Sequence, residues 1–365
     1  MADIPVPAPS FAFSEVLDRI RRSAEYVVIP LLALAASAVL FSVFLLFLGK
    51  NPIDFYSLVW RGGFGTSFSW QNTLVRASPL ILAGLCVAIP ARLGMVVIGG
   101  EGALVLGGFA AAVIAIPMVA WSPAPLTLLM MMIAAMAVGG IWIGFVGYLR
   151  HYRGINETIS SLLLSYIAVS ILNFFVEGAL RDPSDPNKPS TMPIGPDTMI
   201  GAIPGTSVHW GLVAGIIACI ATWVLMNRTT FGFAARITGG NVRAAMAQGL
   251  PVGRLVLVST ALAGACAGLA GFFEVAAIHG KANASLIAGY GFTGILVSFL
   301  ARHNPLAIIP VAIFLGGIDA AGGLVQRRME LPDATVQVLQ GLMFLVLLVS
   351  ETLYGRFSIF KAKGA

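Results

Sequence analysis

LGMVVIGGEGALVLGGFAAAVIAIPMVA, residues 93–120, decides the fold class. The stretch exceeds the roughly 20 residues that a helix needs to cross a bilayer. It carries one charge, Glu101, set among Gly99, Gly100 and Gly102. An ionised carboxylate in hydrocarbon is costly, so Glu101 requires a role. Its glycines permit a helix break or a close backbone approach. Three roles fit. The carboxylate caps exposed N–H groups at the start of the second half of a broken helix. Alternatively, it faces a translocation path and accepts hydrogen bonds from a polar solute. Or it takes and releases a proton, as in an ion-coupled carrier.

Outward from this stretch the chain keeps the same character. It is 58% hydrophobic and 10% charged over 365 residues, with a mean hydropathy of +0.90. Soluble domains carry about 25% charged residues. The chain therefore reads as an all-α polytopic membrane protein. About ten segments reach spanning length or close to it: 27–48, 74–91, 95–121, 125–149, 159–177, 210–226, 255–278, 289–301, 305–325 and 334–353. A cytoplasmic N-terminus places most of the 22 Lys and Arg residues inside, as orientation by positive charge requires. An even number of spans then puts both termini inside. This defines a cytoplasmic segment 1–26, a transmembrane domain 27–354 and a cytoplasmic tail 355–365. No small-residue cleavage site follows the first span, which reads as an anchor. The charge of +6 fits that loop bias and gives no reason to invoke nucleic acid. Cys86, Cys219 and Cys266 are odd in number and lie in apolar runs, so they form no disulfide framework.

Two loops stand out. The extracytoplasmic loop 178–209 is rich in Pro, Asp and Ser, and is expected to be extended and solvated. It is a connector or a docking surface. In the cytoplasmic loop 227–254, Asn241 can cap a helix, VRAAMAQ follows with good helix formers, and Gly249 and Pro251 stop it. The expectation is a helix of about two turns with the small faces of Ala244, Ala245 and Ala247. Such a helix fits a cleft on another protein or lies on the membrane surface. A faint repeat links LAGL at 82–85 and the glycines after it to LAGACAGLAG at 262–271 and GYGFTGI at 289–295. Inverted repeats with breaks at corresponding places mark transporters. Breaks are thus expected near Gly99, Gly100 and Gly102, and near Gly289 and Gly291.

Other intramembrane polar groups are Asn173, Glu274 and Asp319. Glu274, toward the outer end of its span, is expected to reach water. Asp319 sits among small residues and suggests helix–helix packing. Asn156 and Glu157 read as capping groups at a helix start. The four histidines match no metal motif, and no metal site is expected. The chain has no G-x-x-x-x-G-K-[ST] loop, so any ATP must be bound by another chain.

ARITGGNVRAAMAQGLPVGRLVLVSTALAGACAGLAG, residues 235–271, resembles the coupling loop and following span of ABC-importer permeases for simple sugars and nucleosides. Residues 78–112, 153–168 and 51–65 resemble further segments of the nucleoside branch, in order. The resemblance implies a type II-like ABC importer permease with broken or re-entrant helices. It implies coupling to an ATPase through Arg236, Thr238, Gly239, Asn241, Ala244, Ala245, Gly249 and Leu250. A second permease subunit, a cytoplasmic ATPase that binds the ATP, and an extracytoplasmic substrate-binding protein are the implied partners. The substrate would be a nucleoside or related simple sugar, with Glu101, Ser165, Asn173 and Glu274 as candidates for its path. The implied location is a bacterial inner membrane. Val97, Ala103 and Ser165 replace the family's usual amide side chains, and each lost amide shifts affinity by about 1 kcal/mol. An ion-coupled carrier using Glu101, a membrane scaffold, and an ABC permease for an unrelated polar solute are the alternatives.

Overall fold

The computed structural model describes residues 12–185, 188–332 and 334–351. Thirteen α-helices occur among them: α1 (Ala12–Phe47), α2 (Pro52–Gly63), α3 (Ser67–Ala91), α4 (Gly100–Met118), α5 (Ala124–Arg153), α6 (Glu157–Glu177), α7 (Gly211–Arg228), α8 (Thr230–Gly240), α9 (Val242–Ala247), α10 (Val252–Phe273), α11 (Tyr290–Leu300), α12 (Pro305–Met329) and α13 (Ala334–Glu351). Eight helical stretches among the described residues are long and apolar enough to cross a membrane, and two shorter apolar ones run over Ala284–Leu300 and Ala334–Ser350. Together they correspond to the ten segments read from the sequence. Residues 1–11 and the tail 355–365 lie outside the described residues.

The chain forms two compact units. In one, α1 packs along α13. Buried Val336, Leu339, Met343 and Leu347 recur at helical spacing along α13. Leu31, Val39, Leu46, Leu345 and Val349 are exposed, as a lipid-facing surface requires.

The other unit, 54–333, is built around α3. Every residue from 77 to 90 is buried, because α7, α10, α11 and α12 all pack on it. A helix that is apolar all round belongs in the centre of a bundle. Helix α10 meets α4 and α5 through glycine. A Cβ at Gly264 would run into the Gly139 carbonyl, and one at Gly271 into the Leu104 carbonyl. Lipid tails give little hydrophobic drive for helix association, so close backbone packing supplies it.

Several expectations need correction. Helix α3 starts at Ser67, two turns before 74, with Thr66 as its cap. Residues 95–98 are not helical, and the third span begins only at Gly100. The loop 227–254 holds α8 as well as the predicted short helix, here α9. The loop 178–209 is not solvated throughout. Ser190, Thr191, Ile194, Thr198 and Val208 are buried. Its backbone pairs with the 276–282 stretch: Thr191 N donates to the Ala282 carbonyl (2.9 Å), Ile194 N to Gly280 (2.9 Å) and Ile200 N to Ala276 (2.7 Å). Threonine hydroxyls satisfy part of its irregular backbone: Thr198 Oγ1 donates to the Gly195 carbonyl (3.1 Å) and Thr206 Oγ1 to the Ile203 carbonyl (3.0 Å).

The unit has two ends. At one, Arg92 Nη2 donates to the His303 carbonyl (3.2 Å), and Leu93 and Met95 pack on Ala234, Ala245 and Leu255. At the other, the 178–209 loop covers the start of α7, with Gln71 Oε1 accepting from Ser207 N at 2.9 Å.

Candidate functional site

The site lies where two interrupted helices start. Helix α11 has 11 residues, about 16 Å at 1.5 Å per residue. It runs toward the Arg92 end, so its first residue lies about half of a 30 Å hydrocarbon core away from that end. The first turn of α4 meets it there. Gly291 allows this, since a Cβ would run into the Glu101 backbone nitrogen. Gly289 takes a left-handed conformation (φ 80°) ahead of α11.

Glu101 is 1% exposed. Its Oε1 accepts from Gly289 N (2.8 Å) and its Oε2 from Gly291 N (2.6 Å). The carboxylate thus caps α11, a helix 188 residues further along the chain. The expectation of a cap on its own broken helix is corrected: α4 is preceded by Gly99 and has no side-chain cap. Geometry explains the choice. A side chain in the first turn of α4 reaches sideways, and the bare N–H groups of α11 lie beside it. A negative charge at a helix N-terminus is also favoured by the dipole.

Helix α6 holds the chain that leads to this point. Ser161 Oγ accepts from Ile98 N (3.0 Å), and Thr158 Oγ1 donates to the Val96 carbonyl (2.9 Å). Ser165 is buried and returns its hydroxyl to the Ser161 carbonyl (3.2 Å). A Cβ at Gly102 would come within 2.7 Å of its Cα. Val97 and Ala103 are also buried here. Asn173 is half-buried on the same helix, eight residues and about 12 Å beyond Ser165.

Glu274 does not reach water. It is 2% exposed, at the start of a π-helix, Glu274–His279, that ends α10. Such distortions recur at functional sites. Its Oε2 lies 3.5 Å from His279 Nε2, and its Oε1 is buried without a hydrogen bond. The carboxylate is close enough to Glu101 for the two charges to interact. The Tyr290 phenol lies in the field of both. His209 completes the surroundings. Its Nδ1 accepts from Gly211 N (3.1 Å), and its ring stacks on Phe273 at 6.1 Å. Burial pushes this imidazole below its usual value, against the opposing pull of the Glu274 charge. Asp319 pairs with Arg76 at 3.4 Å, so packing among small residues is not the whole account of that acid. Glu157 meets Arg150 at 3.2 Å, while Asn156 caps α6 through Thr158 N and Ile159 N.

The coupling candidates gather at the Arg92 end. Asn241 caps α9 through Ala244 N (3.0 Å), and Gly249 adopts φ 76° after it. Ala245 is fully buried and Leu250 packs beside it, against Leu93 and Met95. Thr238 is buried, its hydroxyl returned to the Ala234 carbonyl (2.8 Å). Arg236, Gly239, Asn241, Ala244 and Gly249 are exposed. So are the apolar side chains of Val242 (44%) and Met246 (51%). Thr158, Ser161, His209, His279 and Tyr290 were missed as site residues. Apart from His279, which sits five residues from Glu274, their partners lie far away in the chain, and only Thr158 and Ser161 fell in a stretch singled out by resemblance.

Residues 69–348 match the family described as branched-chain amino acid transport system / permease component. The chain belongs to this family. It is 32% identical to the glucose ABC transporter permease protein TsgB13 of Haloferax volcanii, covering 88% of this chain and 87% of that one. It is 28% identical to the guanosine ABC transporter permease protein NupP of Bacillus subtilis, over 93% and 98% of the two chains. It is 26% identical to the nucleoside ABC transporter permease protein NupB of Lactococcus lactis, over 79% and 81%. This chain is therefore a multi-pass ABC transporter permease subunit and not itself an enzyme.

Proposed function

We propose that this permease is one membrane subunit of a bacterial ATP-driven importer for a nucleoside or related simple sugar. One observation carries the reading. Helix α9 offers exposed Val242 and Met246 at the Arg92 end, while its buried Ala245 is keyed to Leu93 and Met95. Those two residues begin the segment that ends at Gly100 and Glu101. A partner pressing on α9 therefore pushes on the chain that leads to the junction of α4 and α11. The partner is a cytoplasmic ATPase, and the Lys and Arg bias of the loops supports a cytoplasmic α9 and cytoplasmic termini. A binding protein delivers the solute on the other side. Bacillus subtilis has two relatives, the guanosine permease proteins NupP and NupQ. That supports pairing with a second permease subunit.

The solute passes near Glu101, Ser165 and Glu274, with Asn173 further along. Glu274 supplies a bare acceptor for a sugar hydroxyl or base N–H. Glu101 has both oxygens engaged by backbone donors, which favours a fixed cap over a group that cycles a proton. Uptake of labelled guanosine and ribose by cells expressing the whole transporter, with an ATPase-dead control, tests this. ATP-dependent guanosine uptake unaffected by ribose is expected. Uptake of ribose instead rejects the nucleoside assignment, and uptake that survives the dead ATPase rejects ATP coupling.

A further inference from the structure

A second site lies away from the junction, between α2, the start of α3 and the last turns of α12. It is a cleft of about 520 Å³ lined by four arginines, Arg61, Arg76, Arg327 and Arg328, with Thr66 and Asn72 among its other polar groups. Its walls are closely packed. A Cβ at Gly63 would come within 2.6 Å of the Gly317 carbonyl oxygen, so α2 and α12 touch by backbone. Thr73 Oγ1 donates to the Gly63 carbonyl (2.6 Å), and Ser69 Oγ to the Arg61 carbonyl (2.9 Å). The charge is poorly balanced. Arg76 pairs with Asp319, but among the described residues no carboxylate lies within ion-pair distance of Arg61, Arg327 or Arg328.

The cleft also sits at a particular level. Trp60 (66% exposed), Phe68 (77%) and Trp70 (44%) flank it, and Trp121 (73%) and Trp210 (47%) are exposed at the same end of the bundle. Exposed tryptophans mark the headgroup level of a membrane. Guanidinium groups match phosphate through paired hydrogen bonds. Basic pockets between spanning helices select anionic headgroups. We propose that this cleft binds the phosphate of an anionic phospholipid headgroup. A concave pocket at headgroup level, beside an exposed aromatic surface, suits a lipid better than a flat acidic protein surface. The site does not depend on what the permease transports.

Native mass spectrometry of the full-length chain in micelles, offered equal phosphatidylglycerol and phosphatidylcholine, tests the assignment. Retention of phosphatidylglycerol should exceed that of phosphatidylcholine by about ten-fold or more. Arg61→Gln combined with Arg327→Gln should bring the two lipids near parity, while Arg153→Gln at the opposite end should change nothing. If the double variant fails to fold, Arg328→Gln alone should lower the preference at least two-fold. Equal retention by the wild type, or an unchanged preference in a folded variant, overturns the proposal. Displacement of phosphatidylglycerol by excess inorganic phosphate makes the site one for free phosphate and also overturns it. So does a variant that loses a protein partner but keeps its lipid preference.

Discussion

Glu101 and Glu274 are equally deep in the same unit, 1% and 2% exposed, and they are treated in opposite ways. Glu101 has two backbone donors on its two oxygens. Glu274 has a histidine 3.5 Å from one oxygen and nothing on the other. A buried acid that is fully satisfied holds structure together. A buried acid left half-satisfied is costly to keep, and it remains available to a ligand. Burial alone therefore does not separate an architectural carboxylate from a binding one; the hydrogen-bond inventory does.

The largest effect is expected for Glu101→Ala. It orphans the buried N–H of Gly291 and the part-buried N–H of Gly289, the first at about 1–3 kcal/mol and the second at less, so a loss of about 2–4 kcal/mol and of transport should follow. Thermal melting in detergent and uptake measure it. Glu101→Gln offers only one acceptor oxygen, and should fall roughly midway. Full stability in the alanine variant would show that the cap is not structural.

Gly291→Ala should cost about 1–3 kcal/mol by overpacking, because the new methyl meets the Glu101 backbone. It also pushes the two helix starts apart without touching either carboxylate. If its melting temperature matched the wild type, the close junction would be in error.

Glu274→Gln should change stability by less than about 1 kcal/mol, since no strong partner is lost, while raising the apparent KM for uptake. Destabilisation as large as that of Glu101→Ala would erase the contrast between the two acids. Unchanged uptake would remove Glu274 from the solute path.

The smallest effect concerns pH. His209 has a folded pKa below its unfolded value of about 6.5. Between those values the unfolded chain binds more protons, so this contribution is present above about pH 6.5 and is lost as pH falls. Glu274 opposes the depression. The acid-side loss in melting temperature should therefore be slightly steeper in Glu274→Gln than in wild type, and shallower in His209→Gln, where other depressed groups such as His303 remain. Parallel curves for all three would deny the coupling.

Much of this was legible in the chain. The apolar runs announced the spans, because a bilayer imposes a length and a composition on any helix that crosses it. The short helix α9 was legible to within two residues, since Asn241 and Gly249 act locally. The stretch 93–120 showed that a break must lie near Glu101. It could not show which helix the carboxylate would cap, because Gly289 and Gly291 lie far along the chain. For the same reason Glu274 looked wet. Its place near a span end is a local fact, whereas its burial comes from the 178–209 loop, which pairs with the 276–282 backbone.

The sequence by itself determined the membrane class, most helices, the short helix α9 and the positions of the breaks. Each of these follows from interactions within a few turns: apolar length, capping and glycine conformation. Only the tertiary structure decided which carboxylate is satisfied and which is bare, that α9 bears on Leu93 and Met95, and that four arginines share one cleft. Those depend on which helix lies beside which, and backbone approach at glycines such as Gly264 and Gly291 settles that across long stretches of chain.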